Sequence, residues 1–101
     1  MYLWIRSQDK EVLTRVVDIW KDADKNEIWS KSSFAIKNCL GIYKTKERVM
    51  EVLEEIQSAI IFSGLPNEEL QKVLKERKQN FTANLMFNIK TNTCLYEMPQ
   101  E

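Results

Sequence analysis

The sequence predicts an α+β domain, an antiparallel sheet of four or five strands with two helices packed on one face. Three observations carry that prediction. Residues 1–44 are rich in β-branched and aromatic side chains and are punctuated by polar turns. Residues 45–62 hold the clearest 3.6-residue apolar period in the chain. Residues 67–80 repeat that period more weakly behind a good N-cap residue, Asn67. With 81–101 as a closing segment, the 101 residues, 44% of them hydrophobic, make a single domain, 1–101.

Residues 2–7 read as a first strand and 12–20 (VLTRVVDIW) as a second, with the polar turn Gln8, Asp9 and Lys10 between them. A hairpin opens the chain. Residues 21–26 (KDADKN) carry turn-forming Asp and Asn and are expected as an exposed loop. The strand pattern resumes over 27–43, interrupted near 30–33 (SKSS). Within it Phe34, Ile36, Leu40 and Ile42 share one parity and mark a core face. Gly41 marks a bulge or a close packing contact.

Thr45 is the expected N-cap of the first helix, with Glu47 in the first turn where it suits the helix dipole. Val49, Val52, Leu53, Ile56 and Ile60 form its apolar stripe. Glu51, Glu54, Glu55 and Gln57 form its solvated side, with Arg48 three residues before Glu51. Gly64 and Pro66 stop it. In the second helix Leu70, Val73 and Leu74 hold a face for two turns, Arg77 interrupts it and Phe81 resumes it. The tail reads either as helix continued to Phe87 or as a strand pair around 90–92. Residues 93–98 are expected as a closing edge strand that Pro99 ends.

Composition excludes several functions. Fifteen basic and fifteen acidic side chains leave no net charge, so the phosphate neutralisation that drives nucleic-acid binding is not expected. Without a histidine, the usual hydrolytic triads and zinc sites are excluded, and no enzymatic activity is expected. Cys39 and Cys94 lack a metal or redox spacing and are expected as small buried hydrophobes. Two glycines, Gly41 and Gly64, cannot build the usual phosphate-cradling loops, and no cofactor is expected. No apolar run exceeds five residues, too short to span a membrane, and residues 1–6 do not resemble a secretory signal. The expected location is the cytoplasm.

The aromatics supply the candidate site. Trp4, Trp20 and Trp29 all fall in the expected sheet. If Leu3, Ile5, Leu13, Val17 and Ile19 face the helices, strand alternation places Trp4 and Trp20 on the opposite face, and Arg6 with them. Tryptophan and arginine on an open sheet have the composition of a binding hot spot. The competing reading is that a bulge or register shift buries the tryptophans in the core. Lys72 and Lys75, with Arg77 and Lys78, suit the C-terminal half of a helix through its dipole alone, and are also a candidate contact for an acidic partner.

Four runs give the chain a family likeness: LWIRSQDKE (3–11), LGIYKTKER (40–48), VLEEIQ (52–57) and YEMP (96–99). Together they resemble a widespread set of small hypothetical proteins of phages, prophages and mobile elements of Firmicutes. Residues 63–87 are longer than the resemblance leads one to expect. The resemblance brings no activity and no site residues. It does imply an accessory factor in the bacterial host cytoplasm that binds a host protein stoichiometrically, such as an anti-CRISPR or other host-defence inhibitor, for which Trp4, Arg6, Trp20 and Trp29 of the sheet are the expected contact. Two other readings stand beside it: sequestration of a nucleotide immune signal, with tryptophan stacking on a base while Arg6, Arg15 or Arg48 pairs a phosphate, and a homodimer formed through the aromatics.

Overall fold

The first strand, β1 (Tyr2–Arg6), is paired on both sides. Antiparallel to it runs β2 (Leu13–Arg15), with Arg6 opposite Leu13, and parallel to it runs the last strand, β7 (Thr93–Glu97). The computed structural model describes residues 2–15, 18–22, 24–32, 36–66, 68, 69, 72, 84–88 and 90–101. Strand β6 (Leu85–Asn88) pairs antiparallel with β7, giving a four-stranded mixed sheet A in the order β2-β1-β7-β6. Strands β3 (Asp18–Asp22), β4 (Glu27–Lys31) and β5 (Lys37–Ile42) form a separate antiparallel sheet B in that order.

This corrects the expected fold. There are two sheets rather than one, sheet A is not purely antiparallel, and among the described residues one helix is established, α1 (Lys46–Ser63). Of the second helix expected over 67–80, only Glu68, Glu69 and Lys72 are described, with helical backbone and exposed side chains. The rest, Lys75 included, lies outside the described residues. The segment read as one strand over 12–20 is shared between β2 in sheet A and β3 in sheet B.

The turns follow from their polar residues. Between β1 and β2 the Ser7 hydroxyl bonds Asp9 Oδ1 and accepts from Val12 N, while Asp9 also accepts from Glu11 N. Those bonds hold the Asp9 carboxyl below its ordinary value. Asp22 accepts from Asp24 N, and Asn88 from the backbone of Lys90 and Thr91. Asn26 and Asn92 adopt positive φ, which asparagine tolerates, and each closes a hairpin.

Helix α1 starts where the sequence places it. Thr45 Oγ1 accepts from Arg48 N at 3.1 Å, and Gly64 N reaches Ile60 O and Ile61 O at the other end. Its buried stripe is Val49, Val52, Ile56, Ala59 and Ser63, and packs against both sheets. Ile60 is 45% exposed. The expected stripe therefore turns toward Ala59 at its end, where a small side chain lets the helix approach the strands. Each of Val49, Val52 and Ile56, at 0–1% exposure, contributes about 1.5–3 kcal/mol by leaving water.

The core joins the stripe to Leu3, Ile5, Ile28, Leu40, Tyr43, Cys94, Tyr96 and Met98. Strand β7 is central rather than an edge, because Cys94 and Tyr96 are fully buried and both its sides are paired. The alternatives left for the tail resolve to a strand pair, β6 and β7. Tyr96 donates to Glu55 Oε2 at 3.0 Å, so Glu55 is drawn from the side of the helix expected to be solvated. Tyr43 donates to Pro99 O at 2.9 Å. Burial, the largest cause, pushes both phenols up, and the Glu55 charge adds to it.

Gly41 sits at a bulge, as its position in the strand suggests. Ile28 pairs with Gly41 and Trp29 with Cys39, leaving Leu40 as the extra residue. The shift breaks the parity expected over 34–42. Leu40 stays in the core while Ile42 beyond the bulge is 60% exposed; Ile36, 59% exposed, precedes the strand, and Phe34 lies outside the described residues. A Cβ on Gly41 would meet the Tyr43 ring at 2.9 Å. Gly41→Ala is expected to cost about 1–3 kcal/mol through this overlap, read as a lower urea midpoint. Ser30 is fully buried in a core position of β4, and its hydroxyl has no partner among the described residues. Ser30→Ala is expected to leave the midpoint unchanged or to raise it by up to about 1 kcal/mol, and a clear loss would contradict that account.

Candidate functional site

Alternation along the strands gives each sheet an inner face against the core and an outer face. On β1, Leu3 and Ile5 point inward, and Trp4 and Arg6 outward, both half-buried. The pairing register extends that outer face across sheet A. One row is Arg15, Trp4, Leu95 and Met86, and the next holds Leu13, Arg6 and Glu97. Leu13 and Met86 are 49% and 47% exposed. Arg6 Nη1 donates to Lys10 O at 3.1 Å, which directs the guanidinium toward the hairpin turn. Trp4, Leu13, Thr93, Cys94 and Leu95 line a shallow apolar depression of about 270 Å³.

Sheet B has an outer face of different character. On β4, Ile28 and Ser30 are buried, while Glu27, Trp29 and Lys31 alternate with them on the other side. Three rows cross the strands there. Asp18, Lys31 and Lys37 lie at one end, Trp20, Trp29 and Cys39 in the middle, and Asp22, Glu27 and Ile42 at the other end. Trp20 is 36% exposed. Trp29 is half-buried, and its Nε1 has no partner among the described residues.

The structure thus places Trp4 and Arg6 on one sheet, and Trp20 beside Trp29 on the other. The four do not share a surface. Lys72 is exposed, Lys75 lies outside the described residues, and so does Val17, one of the residues expected to face the helices. Leu13 was expected inward, but Thr14 takes that position opposite Ile5. Counting across the hairpin reveals why. Arg6 pairs with Leu13, so an outward Arg6 requires an outward Leu13. Leu95, Met86 and Ile42 join the two faces only through pairings between segments distant in sequence.

The cysteines divide. Cys94 is buried, as expected, and burial pushes its thiol up to about 11. Cys39 is instead half-buried on the outer face of sheet B, where Sγ lies 3.5 Å from Glu27 Oε2. Desolvation first, and then the hydrogen bond and charge of Glu27, raise its thiol. Among the described residues no three His, Cys, Asp or Glu side chains group to hold a metal ion, and no helix is long and apolar enough to cross a membrane. Arg48 pairs with Glu51 at 3.1 Å on the exposed helix, as its spacing suggests, and its Nε donates to Glu101 O.

In comparisons with known proteins, no family model, no curated protein and no solved structure matches the chain.

The thiols provide a check on this geometry. A disulfide reagent at neutral pH is expected to modify Cys39 and to reach Cys94 only in denaturant, and Glu27→Gln is expected to speed the Cys39 reaction by lowering its pKa. Cys94 is raised from 9.0 to about 11. Its protonated form therefore contributes stability that is complete below pH 9 and lost as pH rises through 11. Over that window the urea midpoint of the wild type should fall more steeply than that of Cys94→Ala.

Proposed function

We propose that the chain is a non-enzymatic accessory protein of a phage or mobile element, a host-defence inhibitor of the anti-CRISPR kind. It acts in the host cytoplasm by binding a host protein stoichiometrically. The outer face of sheet A is the contact. One observation carries the reading: the inner face of that sheet is packed into the core, while its outer face presents the apolar row Trp4, Leu95 and Met86 with Arg15 at its end and Arg6 in the next row. Tryptophan and arginine around a desolvated centre dominate the energy of protein interfaces, and the shallow depression beside Trp4 suits a protruding side chain better than an enclosed ligand.

The same face supports a second reading. Arg15 is the cross-strand neighbour of Trp4, and Arg6 lies two residues along β1 on the same side, so a base stacked on Trp4 has arginines beside it. That placement supports a nucleotide-sequestering protein. Nucleotides at saturating concentration must raise the melting temperature if this reading holds.

The test of the first reading is recovery of one host protein by the tagged chain. Trp4→Ala is expected to weaken that complex at least about thirtyfold, a loss of roughly 2 kcal/mol, with the fold intact by circular dichroism. Recovery unaffected by Trp4→Ala and by Arg6→Glu would remove the contact from sheet A.

A further inference from the structure

We infer that the outer face of sheet A takes an acidic segment of its protein partner, one that inserts a single large apolar side chain beside Trp4 and sets a carboxylate against Arg6 and Arg15. This rests on the reading of that face as a protein contact and names the chemistry of what it holds.

The register fixes where the charges stand. Leu13, at the β2 margin of the depression, faces Arg6 across the strand pair and has Arg15 two residues along β2. Those neighbours lie at about 5 Å and about 7 Å, the spacings of a cross-strand pair and of every second residue in a strand. Arg6 and Arg15 are diagonal neighbours in the same pair, about 7–8 Å apart and within reach of one group set between their long side chains. Among the described residues of the two rows through Trp4 and Arg6, Glu97 is the one carboxylate, and it stands on β7, two strands or about 10 Å from Leu13. Arg6 Nη1 donates to Lys10 O in the turn that leads into β2, which holds the guanidinium at that side. The β2 half of the face is therefore cationic, and its own carboxylate lies on the β7 half.

That arrangement selects the occupant. The depression of about 270 Å³ is apolar and shallow, with Trp4, Leu13 and Leu95 in its lining, and fits one protruding apolar side chain. A guanidinium has five N–H donors in a planar fork, so Arg6 keeps donors beyond the one given to Lys10 O. A carboxylate is the planar acceptor that such a fork matches. A basic segment anchored in the same depression would bring its charge against two arginines where packing removes water, which is repulsive.

Titration of the isotope-labelled full chain with the capped peptide Glu-Asp-Leu-Asp-Glu, followed by NMR, tests the inference. Saturable shifts are expected at the Trp4 indole N–H and at the amides of Leu13 and Arg15. A peptide with lysine in place of each acid, and one with alanine in place of leucine, should each bind at least about tenfold more weakly. Arg15→Glu should weaken the acidic peptide about tenfold, and Glu97→Gln should strengthen it about twofold by removing a like charge. Equal binding of the lysine peptide, or absence of a saturable shift at millimolar peptide, overturns the inference. Equal shifts with adenosine monophosphate give the arginines to a phosphate and overturn it, as does self-association in sedimentation that Trp4→Ala abolishes. The complex with a recovered host protein separates this inference from the reading beneath it. A complex weakened by Trp4→Ala but indifferent to Arg15→Glu overturns the acidic partner and keeps the contact on sheet A, whereas one indifferent to Trp4→Ala overturns both. Circular dichroism of each variant shows whether it is folded; should Arg15→Glu fail to fold, Arg15→Gln must weaken binding of the acidic peptide in its place.

Discussion

Gln8 joins the two sheets, and the arrangement of everything else depends on that joint. Immediately after β1, its backbone N–H donates to Leu40 O of β5 at 2.7 Å, and its side-chain oxygen accepts from Ile42 N of the same strand at 2.8 Å. Its remaining two groups go to the tail. Its side-chain nitrogen donates to Gln100 O, and its carbonyl accepts from Gln100 Nε2, each at 2.8 Å. One residue thus satisfies part of the open edge of β5, ties sheet A to sheet B and holds the segment after β7. An edge left bare at this point would offer its N–H and C=O groups to other chains.

With the sheets joined there, helix α1 packs across both of them and closes the described core. The stripe of α1 reaches β1 and β7 in one sheet and β3 and β4 in the other. The helix is also tied to β7 through Tyr96 and Glu55, and the segment before it to the tail through Tyr43 and Pro99 O, each by the hydroxyl of a buried ring. A tyrosine lets a small core gain the area of an aromatic ring while its hydroxyl satisfies a carboxylate or carbonyl at the boundary. The cost of this economy appears on the strands. Helix α1 covers the inner faces, and the outer face of each sheet keeps a tryptophan partly in contact with water.

Much of this was legible locally. Thr45 and Gly64 bracket the helix as their side-chain chemistry requires, Gly41 marks the bulge, and alternation puts Trp4 and Arg6 opposite Leu3 and Ile5. The sheet boundary and the place of β7 escape a local reading for one reason, which is pairing between distant segments. Nothing within 12–20 says that Arg15 and Asp18 belong to different sheets, and nothing within 93–98 says that a strand so near the end of the sequence lies between two others. Gly41 signals a bulge or a close contact, but that Leu40 is the extra residue follows only from the register with β4. One extra residue reverses the side-chain parity, sending Ile42 outward on a strand whose core residue is Leu40. The candidate site was read from the right residue types, but the sheet boundary divides it into two surfaces.

That division gives each surface a distinct chemistry. The face of sheet A is apolar along the row Trp4, Leu95 and Met86, with Arg15 at the β2 end and Arg6 beside Glu97 in the next row. The face of sheet B sets Trp20 and Trp29 between an end with two lysines and an acidic end. Because the two faces belong to different sheets, a partner seated on one leaves the other open. Neither face is large, so a contact on either must draw its energy from a few well-packed side chains rather than from area.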